Sequence, residues 1–313
     1  MIFKKISVIK NRSWYYAFSG TIFVASILAL ITWGLKPGLD FAGGSLMEVS
    51  FTENRPTVSV VENALAPLNL GDIKVQTAGE HSVIIRFGHV SEDTHQAIKS
   101  AVIDTAGEGG EQLAREDRFE SVGPAVGAEL ADKAWIALSV TLLAIISYIA
   151  YAFRRVSKPV ASWKYGVTAV VALIHDVTLV AGLFAVLGHF YGVEVDALFI
   201  TALLTVLGFS VHDTIVVFDR VRENLARHYQ PDFLQVVNDS VNQTMARSIN
   251  TSMTTLIALT VLYFFGGATI HNFVLALIIG IAFGTYSSIF IASTLIVDWH
   301  LFDRRRLDSK SRK

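Results

Sequence analysis

The chain has 313 residues, 52% of them hydrophobic and only 17% charged, with a mean hydropathy of +0.48 and a net charge of −1. That balance describes an integral membrane protein, and the near-zero charge gives no reason to expect nucleic acid. With no cysteine in the chain, disulfides, thiolate zinc sites and a cysteine nucleophile are excluded.

Residues Met1 to Tyr15 carry Lys4, Lys5, Lys10 and Arg12 and no acid, and the apolar run Tyr16–Trp33 follows. A charged start before an apolar run also describes a signal peptide. Here the run is long, and Gly34-Leu-Lys-Pro-Gly-Leu-Asp40 after it lacks a small-x-small cleavage site. The segment reads as an uncleaved anchor, so 1–33 forms a first membrane region.

Residues 34–133 hold sixteen acids against eight Lys and Arg, the composition of a solvated domain. Met47, Val49 and Phe51 alternate with polar residues, as do Ile73/Val75 and Val83/Ile85/Phe87, which predicts strands. Val58, Val61 and Leu65 have helical spacing. Ser91–Thr105 reads as a helix with Ser91 as N-cap and Glu92 and Asp93 in its first turn. Gly107–Glu111 reads as a loop and Arg118–Val122 as a last strand. The order β-α-β-β-α-β is that of a ferredoxin-like α+β unit. The expectation is a four-stranded antiparallel sheet with two helices on one face.

Five more apolar runs follow: Ala134–Phe153, Tyr165–Leu187, Asp196–Phe218, Ser248–Phe265 and Asn272–Val297. Together they make a five-helix bundle over 134–297, followed by a basic tail over 298–313. Lys and Arg concentrate in 1–15, 154–164, 218–248 and 298–313, whereas 188–195 and 266–271 hold none. That bias puts both ends in the cytoplasm of an inner-membrane, multi-pass protein and the 34–133 domain outside. The fold class is therefore six transmembrane helices with an exterior α+β domain. Residues Pro231–Asn242 read as a separate amphipathic helix lying on the membrane lipid or a partner. Gly280-Ile-Ala-Phe-Gly284, followed by Ser287, Ser288 and Ser293, reads as a face for close helix packing.

Chemistry concentrates in three places. His212-Asp213 lies inside an apolar run, five residues before its Asp219-Arg220 end. A carboxylate within a spanning helix costs roughly 2.5–3.5 kcal/mol at the centre and less near an end, and faces protein or a water path. Proton or ion handling and a helix-packing hydrogen bond are the two readings. His175-Asp176 lies about ten residues into its span, where interhelical hydrogen bonding is the default. Arg247 opens the fifth span at about the depth of Asp213; it either snorkels to headgroups or resets the charge of that aspartate. Adjacent helical residues point about 100° apart, so one His-Asp pair chelates poorly; two pairs from neighbouring helices would make a mixed N/O site. No glycine precedes a lysine, so there is no Walker A loop, and neither His-Glu-x-x-His nor Gly-x-Ser-x-Gly occurs. The chain is expected to be no enzyme, with no cofactor and no metal, and to draw work from a gradient.

Several motifs resemble one family. Gly38-Leu39-Asp40-Phe41-Ala42-Gly43-Gly44 is similar to a signature of the bacterial SecD and SecF export proteins. Phe119–Gly127, Ala172–Asp176, Gly208–Asn224 and Thr244–Ser252 resemble the SecF branch, so the likeness runs the length of the chain. It implies an accessory subunit of Sec protein export within the resistance-nodulation-division superfamily. Such proteins pair with SecD, join the SecYEG channel with YajC, and use the proton-motive force, or sodium in some relatives, to help exported polypeptides across. The family's ion-carrying aspartate and arginine fall on Asp213 and Arg247, and His212 stands where many relatives have Asn. A carboxylate from SecD would complete the site. The alternative is half of an efflux or lipid exporter of the same superfamily.

Overall fold

A computed structural model describes residues 6–53, 55–107, 113–152, 160–227 and 232–311. The Gly-rich loop expected after Gly107, the first part of the basic stretch 154–164, and Pro231 lie outside the described residues. The chain divides into two compact units, one made of residues 1–36 with 136–313 and the other of 37–135.

In chain order the first elements are α1 Arg12–Thr32, α2 Leu39–Ala42, β1 Gly44–Phe51, α3 Val58–Leu65, β2 Lys74–Ala78, β3 Ser82–Phe87, α4 Glu92–Asp104 and β4 Ala114–Val122. All but α1 belong to the smaller unit. Period-two alternation puts Met47, Val49 and Phe51 of β1 and Val83, Ile85 and Phe87 of β3 on one face. Val61 and Leu65 of α3 and Ile98 and Val102 of α4 meet them in a single apolar cluster. Each such side chain, fully withdrawn from water, contributes about 1.5–3 kcal/mol. The sheet order is β2-β3-β1-β4, antiparallel throughout, with a bulge opposite β4 at Glu48/Val49. Ser91 caps α4 by accepting a hydrogen bond from the Thr94 amide at 3.4 Å.

The remaining elements are α5 Pro124–Ala152, whose first residues to Trp135 belong to the smaller unit, and, in the larger unit, α6 Ser162–Tyr191, α7 Ala197–Arg227, α8 Phe233–Phe265, α9 Ala268–Ser287 and α10 Ser293–Ser311. Residues Ser288–Ala292 join α9 to α10 as π-helix, so the two form one unbroken rod. Among the described residues six helices are long and apolar enough to cross a membrane: α1, α5, α6, α7, α8 and the α9–α10 rod. The most enclosed are α6, α7 and the rod; α5 buries little.

Glycine and serine explain how closely the helices approach. A Cβ on Gly280 would meet a Val206 methyl carbon at 2.2 Å, and one on Gly284 would meet Ser210 Cβ at 3.1 Å, so α9 lies directly on α7. Gly182 of α6 takes Ser26 of α1 in the same way, at 2.3 Å. Two boundaries differ from expectation. The second span begins at Pro124 because proline is well placed in a first helical turn, and Glu129, Asp132 and Lys133 continue the helix. Asp232 caps α8 through the Leu234 amide, and the segment expected to lie separately on a surface forms the first turns of α8. Phe233, Val237 and Val241 join the main membrane core, which gains more than a surface placement would.

Candidate functional site

The period of α7 buries Ser210, Asp213, Thr214, Val217 and Phe218 along one stripe and turns His212 outward. Asp213 is 6% exposed and accepts a hydrogen bond at 3.2 Å from the Thr285 hydroxyl of α9. Thr285 in turn shares a 2.5 Å hydrogen bond with Ser252 of α8. Three helices thus meet at this carboxylate, all through neutral hydroxyls. Ser248 of α8, one turn before Ser252, is buried and its hydroxyl also stands beside the Asp213 carboxylate. His212, the next residue to Asp213 in sequence, is exposed on the outer side of α7, as Gly208 and Thr201 are.

Arg247 is exposed at the start of the apolar part of α8. It lines a polar cavity of about 190 Å³ with Val216, Asp219, Arg220, Glu223, Gln243 and Thr244. Val216 is three residues beyond Asp213 on α7, about 4.5 Å along the axis, so this cavity opens roughly one turn from the buried carboxylate. Arg220 pairs with Glu223 at 2.5 Å, and Arg222 with Asp219 at 2.5 Å. Asp213 and Arg247 therefore occupy neighbouring turns without touching; the aspartate is tied inward and the arginine faces out.

The second polar centre is Asp176, 1% exposed at the middle of α6. One carboxylate oxygen meets His175 Nδ1 at 2.9 Å, and the other accepts from the hydroxyls of Ser210 and Ser287, both at 2.6 Å. Ser288 bonds Thr214 Oγ1 at 2.8 Å and donates to the Ser210 carbonyl at 3.0 Å. The two His-Asp pairs do not converge, and among the described residues no group of three His, Asp or Glu side chains could hold a metal.

The Gly-rich signature forms a tight corner. Gly38 precedes α2, which holds Leu39, Asp40 and Phe41, and Gly43 ends it with φ of 70° before Gly44, at 119°, starts β1. Both values favour glycine. A Cβ on Gly43 would lie 3.1 Å from Pro124 Cα. One on Gly127 would lie 3.1 Å from both the Gly43 amide nitrogen and the Phe41 carbonyl oxygen. The two signatures read separately along the chain, Gly38–Gly44 and Phe119–Gly127, are packed on one another.

Sequence reasoning singled out both aspartates but not the hydroxyls that hold them. Ser210, Ser252 and Thr285 carry no local mark, because hydroxyls in apolar helices commonly bond their own chain, as Thr201 and Thr205 do here.

Residues 103–301 match the family described as protein export membrane protein SecD/SecF, C-terminal, and residues 29–54 match the SecD/SecF GG motif. The protein translocase subunit SecF of Thermobaculum terrenum is 45% identical over 313 residues, with 96% of each chain covered. That of Anaerolinea thermophila is 38% identical over 296 residues, with 94% of each covered. A crystal structure of SecDF, a translocon-associated membrane protein from Thermus thermophilus, is similar with a TM-score of 0.80 and 29% identity. The match covers 96% of this chain and 39% of that one, so the solved protein is much longer. A second SecDF structure, in a super-membrane-facing form, has a TM-score of 0.68 at 30% identity, covering 100% of this chain and 41% of that one.

Proposed function

This chain belongs to the SecF family of protein translocase subunits, and from that premise we propose that it carries ions through the membrane at Asp213 to drive protein export. The observation that supports this reading most is a carboxylate 6% exposed inside a membrane helix, one turn from a polar cavity that holds Arg247. Insertion of such a group is unfavourable, and packing alone gains nothing from it. A gradient supplies about 2.3 kcal/mol per charge per 100 mV, and a group that gains and loses charge between two access states can use it. Asp213 is that group. Arg247, at the rim of the cavity, is the charge that favours its ionised form when the two approach.

The partner in this reading is SecD. Gly208 and His212 on α7, and Arg247, Thr251 and Thr254 on α8, are uncovered in the single chain. Polar and small residues at membrane depth are placed for another helix rather than for lipid. A carboxylate from SecD facing Arg247 completes the relay, and SecYEG, YajC and the exported polypeptide are the further partners. Both termini lie in the cytoplasm, following the distribution of Lys and Arg.

Asp213→Asn tests the proposal, since it keeps the shape and removes the titrating proton. In sealed vesicles containing SecD and the channel, it leaves membrane level and SecD association unchanged and abolishes the export stimulated by a proton gradient. Full gradient-stimulated export in that variant would leave Asp213 as a packing group.

A further inference from the structure

Asp176 takes no part in the relay just described, yet it is 1% exposed in the middle of a membrane helix. Such a carboxylate needs a compensating partner. Among the described residues no Arg or Lys is in contact with it; it is ringed instead by donors from three helices, His175 of α6, Ser210 of α7 and Ser287 of α9. Two of those helices also hold Asp213. Ser210 lies three residues before Asp213 on α7, and Ser287 lies two residues after Thr285, its hydrogen-bond donor, on α9. Any slide of α9 along α7 acts on both carboxylates together.

Gly280 and Gly284 bring α9 onto the Val206–Ser210 turn of α7 with no side chain of their own. The register of the two helices is then held by hydroxyl contacts. The rod also changes its winding here, because the π-helical segment Ser288–Ala292 starts immediately after Ser287. π-turns insert one residue into an α-helix and recur at functional sites. Ser287 thereby reaches Asp176 on α6 while Ser288 reaches Thr214 and the Ser210 carbonyl on α7. A shift of the wide turn by one residue would exchange which serine meets which helix, the kind of two-state element that gating needs.

From this arrangement we propose that Asp176 is a positioning residue for ion carriage: through Ser210 and Ser287 it fixes the register of α7 against α9, and so sets where Thr285 stands relative to Asp213. The inference rests on the ion-carrying role of Asp213. His175 is the titratable group in contact with Asp176; its ring stacks on Phe23 of α1 at 5.8 Å and its Nε2 is buried without a partner. Helices α7 and α9 offer Asp176 hydroxyls only. Around Asp213 stand the hydroxyls of Thr285, Ser248 and Ser252, with His212 adjacent on α7.

The test uses the full chain with SecD and the channel in sealed vesicles. Ser287→Ala, Ser287→Thr, Ser210→Ala and Asp176→Asn are compared with the parent and with Asp213→Asn. The readouts are membrane level, SecD association, and the pH profile of gradient-stimulated export. Ser287→Ala and Ser210→Ala are expected to accumulate normally and to displace the profile by about half a pH unit or more, and Ser287→Thr to restore it. If both alanine variants keep the parent profile while Asp213→Asn abolishes stimulation, Asp176 is a packing group and the inference falls. Retained stimulation in Asp213→Asn overturns the ion-carrying role itself, a separate result. The serine variants decide the matter even if Asp176→Asn fails to accumulate.

Discussion

Gly280 of α9 stands so close to Val206 of α7 that a Cβ in place of its hydrogen would lie 2.2 Å from one methyl carbon and 2.8 Å from the other. Valine is stiff about χ1 and cannot turn both methyls away. The helices would have to part.

Gly280→Ala is therefore expected to destabilise the membrane unit by about 1–3 kcal/mol, the usual range for overpacking. Thermal inactivation in detergent measures it. Gly20→Ala serves as the control, because a Cβ there meets nothing within 4 Å. Equal stability of the two variants would mean that α7 and α9 are not held at this distance.

Gly127→Val strikes the corner where the two signatures meet. Its Cβ would come 3.1 Å from the Gly43 nitrogen and the Phe41 carbonyl oxygen, backbone atoms that cannot rotate aside. The expected result is faster amide exchange at Gly43 and Gly44 and loss of export, while the β1–β3 amides of the sheet interior stay protected. Unchanged exchange at Gly43 would show that the corner is loose.

The orientation is open to chemical labelling, since the chain has no cysteine of its own. Ala97→Cys on the exposed side of α4 is expected to react with an impermeant maleimide in intact cells. Ala226→Cys, exposed at the end of α7, should react only after permeabilisation. The reverse pattern would invert the topology.

Asp117 gives a pH dependence in the αβ unit. Hydrogen bonds from Arg115, at 3.0 Å from Nε and 2.7 Å from Nη2, hold its carboxyl below the ordinary value. A depressed pKa contributes stability that is complete above the unfolded value, near 3.9, and is lost as the pH falls through the folded one. Stability of β4 should thus be level from pH 7 to about 5 and decline below about 4, by no more than about 1 kcal/mol for so exposed a pair. Amide exchange of β4 in the parent and in Asp117→Asn measures this difference. A pair that contributes gives a smaller acid loss in the variant.

The six spans were legible because length and hydropathy suffice to find them, and the sheet because Met47–Phe51 and Val83–Phe87 alternate cleanly. Helix ends were less so. Glu129, Asp132 and Lys133 read in sequence as the end of the solvated domain, but a helix carries charges on its exposed side without breaking. Short α2 was hidden inside the glycine-rich signature Gly38–Gly44, too short to show a period. The two buried aspartates announced themselves by their cost in an apolar run. Their partners did not, since whether Ser287 bonds its own helix or reaches Asp176 depends on a neighbour more than a hundred residues away.

Ser26 of α1 rests against Gly182 of α6, so α1 leaves the ribosome well before the neighbour it packs on. At about 5–20 residues per second, that wait lasts roughly eight to thirty seconds. During it the smaller unit is free to fold, and Ser19 and Ser26 on the packing face of α1 lack the α6 neighbour. Nascent chains halted before and after Gly182 should differ sharply in whether α1 can still be cross-linked to phospholipid. Synthesis and docking thus run out of step here, since α1 is seated on a helix made after it.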